Sequence, residues 1–253
     1  MIPTGVDLAR WAMGSRDRMR TENGIPRSSF VVGHVGRLAA EKNLIFLSDA
    51  VSLFLSKHPQ SWFMVAGQGA NENEILTVAR KYGVADRVIC FGVLDSMDLC
   101  DFYKTLDVFV FASKSETQGL VLAEAMAAGN PVVAVDACGV RETVKDRVNG
   151  RLLRDEDRLQ FAEAIEWITH RSETRRAEMS REIAETSRRF SLDRMTGDLL
   201  ALYRHVRTKK RTNLSKGHRS WNMAVRRVEE EAHIWGNFAN AIGEAMKASS
   251  PVH

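Results

Sequence analysis

Six short apolar runs punctuate the chain: 29–35 (SFVVGHV), 62–66 (WFMVA), 88–91 (VICF), 108–112 (VFVFA), 131–135 (PVVAV) and 149–153 (NGRLL). They are rich in β-branched and aromatic residues and bounded by turn formers, which predicts buried strands. Between them, 44–58, 71–82, 97–106 and 119–129 read as helices, and 155–170, 172–189 and 191–206 follow as successive helices. Asn71 and Ser191 stand where helix caps belong. The opening MIPTGVDLARW carries Pro and Gly and reads as a turn rather than an element. Strands alternating with helices predict an α/β fold: a doubly wound, Rossmann-like parallel sheet with helices at the C-terminal end. The chain shows no internal repeat and no low-complexity segment.

One residue does not fit this pattern. The helix GLVLAEAMAAG is apolar on every side except at Glu124, with Gly119 at its start and Gly129 just past its end. Such a helix is expected between layers, where an unpaired carboxylate costs several kcal/mol. In a purely structural reading a nearby Arg or backbone N–H satisfies Glu124. The other reading involves a ligand. Glu116 stands eight positions earlier, and between the two carboxylates the helix N-terminus offers free N–H groups at 117–121, among them those of Gly119, Leu120 and Val121. Carboxylates on both sides of an anion site suit a molecule with hydroxyls at both ends and phosphate in the middle, as in a nucleotide sugar.

The loop after the first predicted strand points the same way. Gly36-Arg37-Leu38-Ala39-Ala40-Glu41-Lys42-Asn43 joins strand to helix, a phosphate-binding layout in which Gly lets a ligand approach the backbone. The spacing is not GxGxxG, so a nicotinamide cofactor is not supported. Arg37 can grip two phosphate oxygens at once, and Lys42 supplies a movable point charge. In a solvated loop the same two residues would do neither. His34, on the preceding strand, reads as a core or rim histidine. Gly67 and Gly69 end the second strand and Gly92-Val93 follows the third, where Gly-rich turns line the crevice of open α/β sheets; plain turn chemistry explains them equally well.

Composition narrows the class. At 253 residues with 44% hydrophobic residues the chain can bury a sizeable core, and disorder is not indicated. No charged-then-apolar leader and no run of eighteen apolar residues is present, so neither secretion nor a membrane span is read. Cys90, Cys100 and Cys138 form no CxxC and read as inert thiols in a reduced, cytoplasmic setting. A net charge of +4 and a pI of about 9.1 favour anionic ligands without choosing among them. The basic stretch 209–219 (KKRTNLSKGHR) is not interleaved with aromatics, which argues against a nucleic-acid partner.

Glu116 and Glu124 within SETQGLVLAEAMAAGNPVVA, together with GRLAAEKN at 36–43, resemble the donor-site signature of retaining GT-B glycosyltransferases of family four (group 1). The resemblance runs from IPTGVD at 2–7 to about Val206, with Asn43 in place of the family's Gly as a small departure. It implies that this chain is the C-terminal, donor-binding half of a GT-B fold whose N-terminal domain is missing here. Residues 1–28 would then be an interdomain linker, 29–207 the nucleotide-sugar domain and 208–253 a basic link with an amphipathic helical tail. By the same resemblance Gly36, Gly67 and Gly69 border the donor phosphates, and the backbone of Gly92 and Val93 meets the base. Arg37, Lys42 and the helix N-terminus at Gly119, Leu120 and Val121 hold the diphosphate, Glu116 contacts the sugar hydroxyls, and Glu124 contacts the ribose. Glu116, Arg37 and Lys42 are the expected catalytic residues of a front-face, metal-independent transfer. No cofactor is expected beyond the donor itself, UDP- or GDP-linked. The acceptor would be a saccharide or a lipid.

Two further readings compete. The carboxylates could form a glycosidase pair, but Glu124 lies within an apolar helix rather than opposite Glu116 in an open cleft. Alternatively, a chain lacking the acceptor half could be a non-catalytic nucleotide-sugar-binding module. In the tail, Trp221, Val225, Val228, Ala232, Trp235, Ala239, Ile242 and Met246 form a narrow helical seam. It reads as docking on its own protein or on a second copy. Peripheral attachment at the inner face of the membrane is the alternative, which the mixed charges of Arg226, Arg227, Glu229, Glu230 and Glu231 argue against.

Overall fold

The computed structural model describes residues 2–114, 116 and 118–213. Two short helices, α1 (Leu8–Ala12) and α2 (Arg16–Glu22), come first, α1 beginning within the MIPTGVDLARW stretch that the sequence reads as a turn. A five-residue helix has too few internal hydrogen bonds to persist alone. Here Asp7 caps α1 by accepting from the Arg10 amide at 3.1 Å, and Trp11 is buried in the main core with Val6, Met19 and Ile25.

Strands and helices then alternate: β1 (Phe30–Val35), α3 (Leu44–Lys57), β2 (Ser61–Ala66), α4 (Glu72–Lys81), β3 (Val88–Cys90), α5 (Ser96–Thr105), β4 (Val108–Phe111), α6 (Leu120–Ala127), β5 (Val132–Val135) and β6 (Gly150–Leu153). Three helices close the described chain, α7 (Arg158–Thr169), α8 (Glu173–Arg189) and α9 (Leu192–Asn213). The last continues seven residues past the expected end at Val206, so the basic stretch begins as helix. Asn71 precedes α4 but makes no capping bond to its amides; its side chain turns instead to Glu74. Ser191 does cap α9, accepting from the Arg194 amide at 3.2 Å.

The sheet has the order β3-β2-β1-β4-β5-β6, and every pair is parallel. The chain winds outward from β1 through β2 and β3, returns to β4 beside β1, and winds outward the other way. The reversal leaves a crevice beyond the carboxyl ends of β1 and β4, where open α/β sheets take their ligands. Helices on both faces explain why the strands are apolar without alternation: Val31, Val32, Val108, Phe109, Val110, Val132 and Val133 are all fully buried.

Contacts divide the chain into residues 1–198 and 199–253. The apolar seam at 221–246 lies outside the described residues. Among the described residues, no helix is long and apolar enough to cross a membrane.

Candidate functional site

Three loops at the carboxyl ends of adjacent strands are tied together through their backbones. The Gly36 amide donates to the Ala66 carbonyl at 3.0 Å, the Leu38 amide to Gln68 at 2.9 Å, and the Gly67 amide to Gly92 at 2.7 Å. Gly67 has φ of +132°, and a Cβ placed on it would lie 1.8 Å from the Gly36 oxygen. Glycine at 67 is therefore required by the approach of one loop to another. Beyond these ties opens a cleft of about 930 Å³, lined by Gly36, Arg37, Gly67, Gly69, Glu72 and Val93 among others.

The two predicted cations take different partners. Arg37 is largely exposed and pairs with Glu41 at 2.5 Å. Lys42 reaches across the switch point and pairs with Glu116 at 3.0 Å, with both side chains about four-fifths buried. The two loops are also joined where the Lys114 amide and the Ser113 hydroxyl both donate to the Glu41 carbonyl, at 3.1 and 3.2 Å. Residues 74 positions apart thus meet because β1 and β4 are neighbours. Beneath them the Phe111 ring lies 5.9 Å from the Lys42 ammonium.

His34 is buried between Phe109 and Phe111, and its Nδ1 donates to the Val110 carbonyl at 3.0 Å. Burial lowers its pKa to about 4, so the ring is neutral near pH 7. This is the core histidine that the sequence reading favoured.

Gly119 opens α6 in the left-handed region, φ +60°, which glycine adopts without strain. The helix is not enclosed between layers as its composition predicts. Leu122, Ala123, Ala125 and Met126 are buried, whereas Leu120, Val121, Glu124 and Ala127 form a half-open face. Among the described residues, the hydrogen-bond partner of Glu124 is neither the Arg nor the backbone N–H weighed for it, although the Arg10 charge acts on it. Its Oε2 accepts from the Tyr103 hydroxyl at 3.0 Å. Burial raises the Glu124 pKa, opposed by the Tyr103 hydrogen bond and the Arg10 charge; burial and then the Glu124 charge raise that of Tyr103 well above its usual value.

The sequence-derived site is therefore distributed over three neighbourhoods. Gly36, Arg37, Gly67, Gly69 and Val93 line the cleft, with Gly92 tied behind it. Lys42 and Glu116 pair at the switch point. Gly119, Leu120, Val121 and Glu124 lie on the first two turns of α6. Tyr103, Arg10 and Glu72 escaped the sequence reading, since each joins the site only through tertiary contacts, and Glu41 was read as part of the loop but not as the partner of Arg37. Among the described residues, no group of three or more His, Cys, Asp or Glu could hold a metal ion. Of the free thiols, Cys90 is pushed up to about 11 by burial and by the Glu72 charge.

Residues 15–188 match the family model described as glycosyl transferases group 1. A D-inositol 3-phosphate glycosyltransferase of Acidothermus cellulolyticus is 33% identical over 221 residues, covering 84% of this chain and 49% of the relative. The chain spans about half the length of the curated relatives it matches. Among solved structures, Anabaena HepE in complex with UDP superposes with a TM-score of 0.71 at 25% identity, over 79% of this chain and 56% of that one. The C-terminal domain of a group 1 family glycosyl transferase (LpcC) from Francisella tularensis gives a TM-score of 0.66 at 23% identity, over 74% of this chain and 100% of that domain.

Proposed function

This chain belongs to the group 1 glycosyl transferases, and from that premise we propose that it is the donor-binding half of a retaining nucleotide-sugar-dependent glycosyltransferase. The observation that carries the proposal is the pairing of Lys42 with Glu116 at the β1/β4 switch point, ahead of the N-terminus of α6, on the same loop that carries Arg37 at the cleft. Phosphate there would find two cations and a helix N-terminus, with a carboxylate on either side for hydroxyls. The UDP in the HepE complex favours a UDP-linked donor.

In this reading the diphosphate replaces Glu116 at Lys42, and Glu116 turns to the sugar hydroxyls. Arg37 exchanges Glu41 for phosphate oxygens. As the bond from the anomeric carbon to the phosphate breaks, charge grows on the leaving diphosphate, where Arg37, Lys42 and the α6 amides stabilise it. Each charged hydrogen bond contributes roughly 1.5–3 kcal/mol. The acceptor hydroxyl attacks from the same face and gives its proton to the departing phosphate oxygen, so configuration is retained without a glycosyl-enzyme. Glu124 holds the ribose. Residues 29–207 form the donor domain and 1–28 the segment entering from the acceptor half, which binds the saccharide or lipid acceptor.

The test is calorimetric titration of the chain with UDP, GDP and ADP and their glucose or mannose conjugates. Binding of one base family, weakened at least ten-fold in Arg37→Ala, supports the assignment. A folded chain that binds none of them refutes it.

A further inference from the structure

We propose that Tyr103 is a positioning residue for nucleoside recognition: its hydroxyl holds one oxygen of Glu124 and leaves the other for the ribose hydroxyls. The inference rests on the donor-site reading above, in which Glu124 meets the ribose.

Tyr103 is fully buried and its ring cannot swing. It meets the edge of Trp11 at 5.2 Å and 86°, Phe102 at 6.2 Å and Phe109 at 5.8 Å. Its carbonyl accepts from the Asn130 side chain at 2.7 Å, which fixes the backbone as well. A phenol has one proton to give, and its partner is Glu124 Oε2 at 3.0 Å. This hydrogen bond therefore specifies which carboxylate oxygen is occupied and how the plane is turned. Glu124 itself sits on the half-open face of α6 and is not fully buried, and its second oxygen is the one left to a ligand.

The groups acting on this carboxylate come from two elements. Tyr103 is on α5. Arg10 is on α1, its guanidinium 4.8 Å from the Trp11 ring centroid and its buried Nε without a partner among the described residues. Both favour the ionised carboxylate and so oppose the burial that raises its pKa.

The experiment uses the full chain and whichever of UDP, GDP and ADP it binds, with the 2′-deoxy and 3′-deoxy forms of that nucleotide. Wild type, Tyr103→Phe, Glu124→Gln and the double variant are titrated calorimetrically, and circular dichroism confirms that each is folded. Wild type should lose about ten-fold in affinity when the recognised hydroxyl is removed. Tyr103→Phe should bind the parent nucleotide about ten-fold more weakly and discriminate poorly between it and the deoxy form. Its affinity should also fall off at higher pH than in wild type, because Glu124 protonates more readily without the phenol. The double variant should be no weaker than Glu124→Gln. Unchanged discrimination in a folded Tyr103→Phe overturns this inference alone, and Glu124→Gln then still reports on the ribose contact. A wild type that binds no nucleotide overturns the donor-site reading and this inference with it.

Discussion

Gly67→Ala is the substitution whose effect the loop geometry determines most fully. The added Cβ would lie 1.8 Å from the Gly36 oxygen, and ordinary contact begins at 3.4 Å, so the loops must part by about 1.6 Å. Such a separation breaks or strains the Gly36-to-Ala66 and Gly67-to-Gly92 hydrogen bonds. Overpacking costs about 1–3 kcal/mol, and a non-glycine residue held at φ +132° adds a cost of similar size. The two overlap, because the same loop shift relieves both, so about 3 kcal/mol is expected. For a domain of this size that lowers Tm by roughly 6–12 °C, which a protein of ordinary stability survives. The displaced loop carries Arg37, so nucleotide affinity should fall too. Gly83→Ala is the control: φ is +68° there, but nothing lies within 4 Å of the added atom. It should cost about 1 kcal/mol and leave affinity unchanged. Differential scanning fluorimetry and calorimetric titration measure both effects. If Gly67→Ala melts within 2 °C of wild type, the loop argument is wrong.

Three further outcomes follow from the same geometry. Lys42→Ala should weaken nucleoside diphosphate binding about ten-fold or more by titration. Glu116→Ala removes the carboxylate that competes for Lys42, so nucleoside diphosphate should bind at least as tightly while the preference for the sugar conjugate is lost. His34 has an ordinary pKa of 6.5 that burial lowers to about 4. The unfolded chain therefore binds more protons in that window, and the stability that a neutral His34 provides above pH 6.5 is lost as pH falls toward 4. The loss is on the order of 3 kcal/mol. Urea unfolding at pH 7 and pH 4.5 should show a markedly smaller difference in His34→Gln than in wild type.

The parallel sheet was legible because strands covered on both faces must be apolar throughout, as VFVF at 108–111 and VVAV at 132–135 are. Spacing on a local strand–loop–helix unit likewise made Glu116 and Glu124 visible. Contacts created by the crossover from β3 to β4 left no such trace. Tyr103 stands 21 positions before Glu124 on a different helix, and nothing in α5 marks it as a carboxylate's donor. The half-open face of α6 was hidden because Leu120, Val121 and Ala127 are as apolar as the buried face. Helix α1 depends on the burial of Trp11 rather than on any pattern in LARWA.

A crystal structure of the chain with UDP-glucose bound tests the central claim most directly. The account predicts the diphosphate between the Gly36–Lys42 loop and the N-terminus of α6, within hydrogen-bond distance of Arg37 and Lys42. Lys42 is then released from Glu116, and the ribose hydroxyls lie on Glu124. A diphosphate bound elsewhere, or one seated there while Lys42 remains paired with Glu116, would contradict it.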